Sequence, residues 1–105
     1  MLETRMARTP EGKVKDAVVK LLKERGVYYF FPATYGMGRS GVPDIVCCVA
    51  GRFLTLECKA GTNKPTMLQL NEMAKIMGAG GIALVINETN TDKVLEAVTY
   101  LSTQP

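Results

Sequence analysis

Asp44 and the tripeptide Glu57-Cys58-Lys59 are the residues of this 105-residue chain whose types and spacing suit chemistry. Two carboxylates thirteen positions apart, the second followed two residues later by a lysine, can bring hard oxygen ligands and an ammonium to one point. That set fits Mg2+ or Mn2+ with positions left for water and a phosphate oxygen. A cation so held lowers the pKa of its bound water and draws charge off an attacked phosphorus, which is the chemistry of metal-dependent phosphodiester hydrolysis. Little else competes, since the chain has no His and no Trp. Its serines and cysteines therefore lack a histidine to activate them as nucleophiles. With an ordinary pKa of about 10.4, Lys59 suits orienting the attacking water and stabilising the transition state better than acting as general base. The bland reading is an exposed cross-strand ion pair, worth at most about 1 kcal/mol. Against it, Glu57 and Lys59 close the apolar stretch Phe53-Leu54-Thr55-Leu56.

These residues need elements to position them. Thr9 is a natural N-cap, Pro10 suits the first helical position, and Val14, Ala17, Val18, Leu21 and Leu22 recur at helical spacing until Gly26, so a helix is expected over 10–25. Val27 to Phe31, aromatic and β-branched and closed by Pro32, reads as a strand. A glycine-rich loop from Ala33 to Val42 leads to a second strand over 44–50, and Gly51-Arg52 reads as a two-residue turn into a third over 53–59. That turn pairs Ala50 with Phe53 and sets residue 44 against residue 59. Alternation puts Glu57 and Lys59 on one face, about 6.6 Å apart at their backbones, and turns Cys58 away, leaving only its main-chain carbonyl at the site. Thr66 caps a helix running to Met77, with Leu70, Met73, Ala74 and Met77 expected on its apolar side. Ile82 to Ile86 is an uninterrupted apolar strand, expected to be buried on both faces, and a last helix spans 91–101. The order is helix, three strands, helix, strand, helix: one mixed α/β layer fold with an antiparallel meander and a fourth strand returning parallel to a neighbour.

Composition bounds the function classes. A hydrophobic fraction of 47% and a charged fraction of 22% are those of an ordinary globular protein. No secretory signal is visible, and the longest uncharged run, Gly26 to Gly38, is too short and interrupted to cross a bilayer. Cys47, Cys48 and Cys58 are an odd count without CxxC spacing, which favours a reduced interior and buried packing roles over a disulfide or zinc. The expected location is cytoplasmic, in a bacterium or a virus-infected host cell. The net charge of +3 resides in residues 1–25, where seven cations face four acids, while the rest of the chain balances at six against six. A basic segment on a neutral body suits a polyanion, with Arg8 and Lys13 in it as candidate nucleic-acid contacts and Arg39 and Ser40 of the glycine-rich loop as two more. The bland readings are a solvated helix face and a mobile linker. Gly36 to Gly41 matches the dinucleotide pattern GxGxxG but leads into a strand rather than a helix, so a nucleotide-cofactor site is not expected. Tyr28-Tyr29-Phe30-Phe31 puts aromatics on both faces of one strand, which suits core packing, base stacking or a subunit contact.

With these motifs in place, the chain resembles the PD-(D/E)xK nuclease superfamily and, within it, the small stand-alone VRR-NUC domains of virus-type replication and repair nucleases. Gly-x-Pro-Asp appears as Gly41 to Asp44 and Glu-x-Lys as Glu57-Cys58-Lys59, and the likeness runs from Glu11 to about Leu101 within a single domain spanning 1–105. The resemblance implies a restriction-endonuclease-like core, a mixed four-stranded sheet flanked by helices in the order α-β-β-β-α-β-α. It implies a metal held by Asp44, Glu57, the Cys58 carbonyl and an acid of the first helix, Glu11, whose other reading is a first-turn glutamate favouring the helix dipole. It also brings Gln69, on the helix after the lysine, into the catalytic set with Asp44, Glu57 and Lys59. The expected activity is a Mg2+- or Mn2+-dependent endonuclease acting on DNA, branched or junction DNA in replication or repair, and working as a homodimer without a membrane. A catalytically silent nucleic-acid-binding or assembly module with the same fold is the alternative.

Overall fold

A computed structural model describes residues 8–33, 38 and 40–105. Helix α1 spans Pro10–Glu24, capped by Thr9, whose hydroxyl accepts from the Gly12 N–H, and it buries Val14, Val18 and Leu22 at helical spacing. Strand β1 is only Tyr28–Phe30, shorter than the 27–31 expected. Gly26 at a φ of 67° breaks the chain before it, and Pro32 restricts Phe31 after it. Strands β2 (Ile45–Val49) and β3 (Arg52–Cys58), helix α2 (Met67–Gly78), strand β4 (Ile82–Ile86) and helix α3 (Asp92–Ser102) follow. The sheet order is β1-β2-β3-β4, antiparallel through the first three strands and parallel between β3 and β4. This is the α-β-β-β-α-β-α order with a mixed four-stranded sheet between helices, a restriction-endonuclease-like fold.

The hairpin register differs from the sequence expectation by two residues. Val49 pairs with Arg52 and Ile45 with Leu56, so the turn residues are Ala50 and Gly51. Both have positive φ, 51° and 80°, as a type I′ turn requires to follow the strand twist. A shift of two keeps every side chain on its face. It moves the partner of Asp44, one step beyond the ladder, from Lys59 to Glu57.

One face of the sheet forms the core. Ile45, Cys47 and Val49 of β2, Leu54, Leu56 and Cys58 of β3 and Ile86 of β4 pack against Val14, Val18 and Leu22 of α1 and Val94, Ala97, Val98 and Leu101 of α3. Helix α2 takes the opposite face, beside β4 and Phe53. Its expected apolar side is not the one turned inward. Leu70, Ala74 and Met77 are exposed, while Gln69, Glu72, Met73 and Ile76 are half-buried. The close approach of Gly41 to the backbone of Leu68 and Gln69 fixes that rotation. β4 is an edge strand, yet Ala83 and Ile86 are buried on opposite faces and Ile82, Leu84 and Val85 are half-buried. Both faces are thus covered, though incompletely, by the core and by α2. Of the cysteines, Cys47 and Cys58 are buried and Cys48 is exposed on the α2 side of the sheet. Tyr28 and Phe30 are also exposed; of the aromatic run, only Tyr29 packs partly on the core.

Candidate active site

The acids meet where β2 begins and β3 ends. Gly41 turns the chain with a φ of 80°, and a Cβ there would collide with the carbonyl of Leu68 and come within 2.9 Å of the Gln69 nitrogen. The glycine thus lets the loop lie directly on the first turn of α2. From there Val42 and Pro43 bring Asp44 to the strand end, where its Oδ2 accepts from the Cys58 N–H at 2.8 Å. That bond extends the hairpin by a side chain where backbone pairing stops. Glu57 leaves β3 toward α2 and is 2% exposed. Glu11 reaches the same point from the first turn of α1. One carboxylate oxygen from each of Glu11, Asp44 and Glu57 lies within 4.8 Å of the others.

Glu57 is held by two donors on a single oxygen. Its Oε2 accepts from Gln69 Nε2 at 2.7 Å and lies 3.7 Å from Lys59 Nζ. Gln69 has a second duty, because its Oε1 accepts from the Thr66 N–H while the Thr66 hydroxyl accepts from the Gln69 N–H, a complete capping box. One amide therefore ties the start of α2 to the buried acid. Glutamate at the same place would keep the box and turn a carboxylate on Glu57. The half-buried amide in the expected apolar helix was the sequence signal for this contact.

Burial, and then the neighbouring Asp44 carboxylate, push the Glu57 pKa up to about 7, with Lys59 opposing and Glu11 adding a little to the rise. Three carboxylates against two ammoniums, Lys59 beside Glu57 and Lys15 in the adjoining hollow, leave a site short of positive charge. Cys58 lines the same depression as Glu11, Asp44 and Lys15, a hollow of about 450 Å³. Burial raises the Cys58 thiol to about 12, so its sulfur stays protonated and its backbone is the part available.

The candidate nucleic-acid contacts are scattered. Arg8 is engaged by Asp16 at 2.9 Å and by the Gly12 carbonyl. Lys13 faces Pro10, Ala60, Glu88 and Thr91 on the far side of α1 from Lys15. Ser40 is exposed, and Arg39, like Gly36 and Met37 of the Gly36–Gly41 pattern, lies outside the described residues. Sequence reading passed over Lys15, Lys20 and Lys23, which line a groove with Tyr29 and Phe31.

No family model matches the chain. It is 35% identical over 85 residues to "Putative nuclease p44" of Acyrthosiphon pisum secondary endosymbiont phage 1, a match covering 80% of this chain and 88% of that one. A solved structure described as a VRR_NUC domain superposes with a TM-score of 0.71 at 25% identity, over 84% of this chain and 96% of the other. The fold and these relatives place the molecule among the nucleases of the PD-(D/E)xK superfamily. The chain belongs to the VRR-NUC family. Among the described residues, no helix is long and apolar enough to cross a membrane.

Proposed function

We propose that this chain is a metal-dependent endodeoxyribonuclease that hydrolyses phosphodiester bonds by water attack, acting on branched or junction DNA in replication or repair. The observation that supports it best is the convergence of Glu11, Asp44 and Glu57 within 4.8 Å beside Lys59. The donor set fits a hard divalent cation, Mg2+ or Mn2+: three carboxylates crowd together, and one of them is buried with its pKa raised toward 7. Glu11, Asp44, Glu57 and the Cys58 carbonyl are the groups that would hold it. Such an ion supplies an acidified water and offsets charge at phosphorus.

The remaining roles belong to side chains. Lys59, 11% exposed and beside Glu57, orients the attacking water and meets the negative charge that grows on the phosphoryl oxygens. Gln69 fixes the Glu57 carboxylate so that its second oxygen points where it is needed. Self-association fits the exposed face formed by Tyr28, Phe30, Cys48 and Phe53 opposite the core, and two copies would supply two cuts on a junction.

Incubating the protein with labelled branched and linear DNAs in Mg2+, Mn2+ or EDTA tests this reading. Wild type is expected to cut branched DNA in either metal and not in EDTA. Glu57→Ala should lose more than the roughly 10–100-fold that removal of an outer partner costs. Binding without cutting in any metal would instead identify a silent module with the same fold.

A further inference from the structure

Beside the acid cluster, α1 and β1 enclose a second groove of about 670 Å³. Lys15, Lys20 and Lys23 line it along the helix, while Tyr29 and Phe31 form its floor. The two rings lie 5.8 Å apart at their centroids, tilted by 47°. Lys15 Nζ sits 4.1 Å above the Phe31 ring, a cation resting on an aromatic face that is 47% exposed. The groove also contains Asp16, but Arg8 holds that carboxylate in a two-nitrogen contact at 2.9 and 3.0 Å. Lysines therefore outweigh the free acid there, Glu24. Lys15 lines both this groove and the hollow holding Glu11 and Asp44, so the two are continuous across one side chain.

We propose that this groove binds a single-stranded run of nucleic acid, with its phosphates seated on Lys15, Lys20 and Lys23. A base stacks on Phe31 and Tyr29 in place of the Lys15 ammonium, which turns to the phosphates. The chemistry favours an unpaired strand over a duplex. A duplex offers phosphates but keeps its bases stacked on one another, leaving the aromatic floor without a partner. An unpaired strand offers both, since every free base has a π-face that an aromatic ring can stack on. The lysines are spaced along one helix side as a backbone track needs. That the bound strand leads to the place of cleavage rests on the nuclease reading above; the binding itself does not.

The test is run in EDTA, so that no cutting intervenes. Fluorescence anisotropy with a labelled oligothymidylate and with a blunt duplex should show tighter binding of the single strand. Phe31→Ala should weaken it about tenfold or more. The double variant Lys20→Gln/Lys23→Gln, at exposed positions, should lower the slope of log affinity against log salt by about 1.4. Because the chain has no tryptophan and four tyrosines, Phe31→Trp adds a single tryptophan reporter that can be excited at the red edge, where tyrosine absorbs little. Its emission should be quenched by the oligothymidylate and not by the duplex. Equal binding of both DNAs, an unquenched reporter or an unchanged salt slope would overturn the proposal. Quenching and binding as described in a protein that cuts nothing in Mg2+ or Mn2+ would leave the groove standing and remove the nuclease assignment. Cutting of branched DNA with a silent reporter would do the reverse.

Discussion

Asp44 and Glu57 each commit one carboxylate oxygen to the scaffold. Asp44 gives Oδ2 to the Cys58 amide and Glu57 gives Oε2 to Gln69 and Lys59, which leaves one oxygen of each for a ligand. Glu57 is also the group whose proton couples folding to pH. Its pKa is raised in the folded protein, mainly by burial, from 4.5 to about 7, so between those values the native state holds more protons than the unfolded one. Stability from this group is fully present below about pH 4.5 and lost as pH rises through 7. Thermal melts of the metal-free protein should show that decline, and Glu57→Gln should flatten it. On the proposed reading Glu57 would have to lose the same proton to hold a divalent cation, so Mg2+ or Mn2+ affinity measured by calorimetry should rise from pH 6 to pH 8. Gln69→Glu is expected to keep helix α2 capped yet lower cleavage by roughly 10–100-fold, whereas Gln69→Ala loses the cap as well. Asp44, Glu57 and Lys59 were legible as a group from their spacing, and Glu11 only through the family resemblance. The double role of Gln69 was not, because it depends on how α2 is rotated.

At the level of elements, strand and helix identities were legible because period and punctuation agreed over most of the chain. The hairpin register was not, since Gly51 alone does not say whether its partner in the turn is Ala50 or Arg52. The structure puts the burden on Ala50, a residue with a Cβ in left-handed backbone. Replacing it by Asn, which tolerates that conformation, should stabilise the protein by up to about 1 kcal/mol, read as a higher urea midpoint at constant slope. Gly41→Ala should act in the opposite sense, because both its φ and the neighbouring α2 backbone exclude a side chain. The inward side of α2 was misjudged for a related reason. Hydrophobicity pointed to Leu70, Ala74 and Met77, but the contact with Gly41 and the bond to Glu57 set the rotation instead. Cys48 was likewise assigned to the core, and its exposure follows from lying on the sheet face that α1 and α3 do not cover. Mass measurement after alkylation should therefore show Cys48 modified in the native single chain and shielded where two copies associate through this face, with Cys47 and Cys58 reacting only after denaturation.

Across the whole molecule the sheet separates two unlike surfaces. Helix α1 with Lys15, Lys20 and Lys23 lies on the core side. Tyr28, Phe30 and Phe53 lie exposed on the other, with Glu72 and Lys75 of α2 bordering Phe53. Sedimentation should report a mass near twice 11.4 kDa, and Phe53→Glu, placing a charge on the aromatic face, should return it toward the single-chain value. Such a charged variant leaves the lysine side untouched. The polarity of the molecule also bears on how it first meets its substrate. Because the excess positive charge is gathered in the first 25 residues rather than spread, an approaching polyanion exerts a torque as well as a pull. Diffusional encounters are thus biased toward arrival with α1 leading, and the rotational search for the site is shortened before any contact is made.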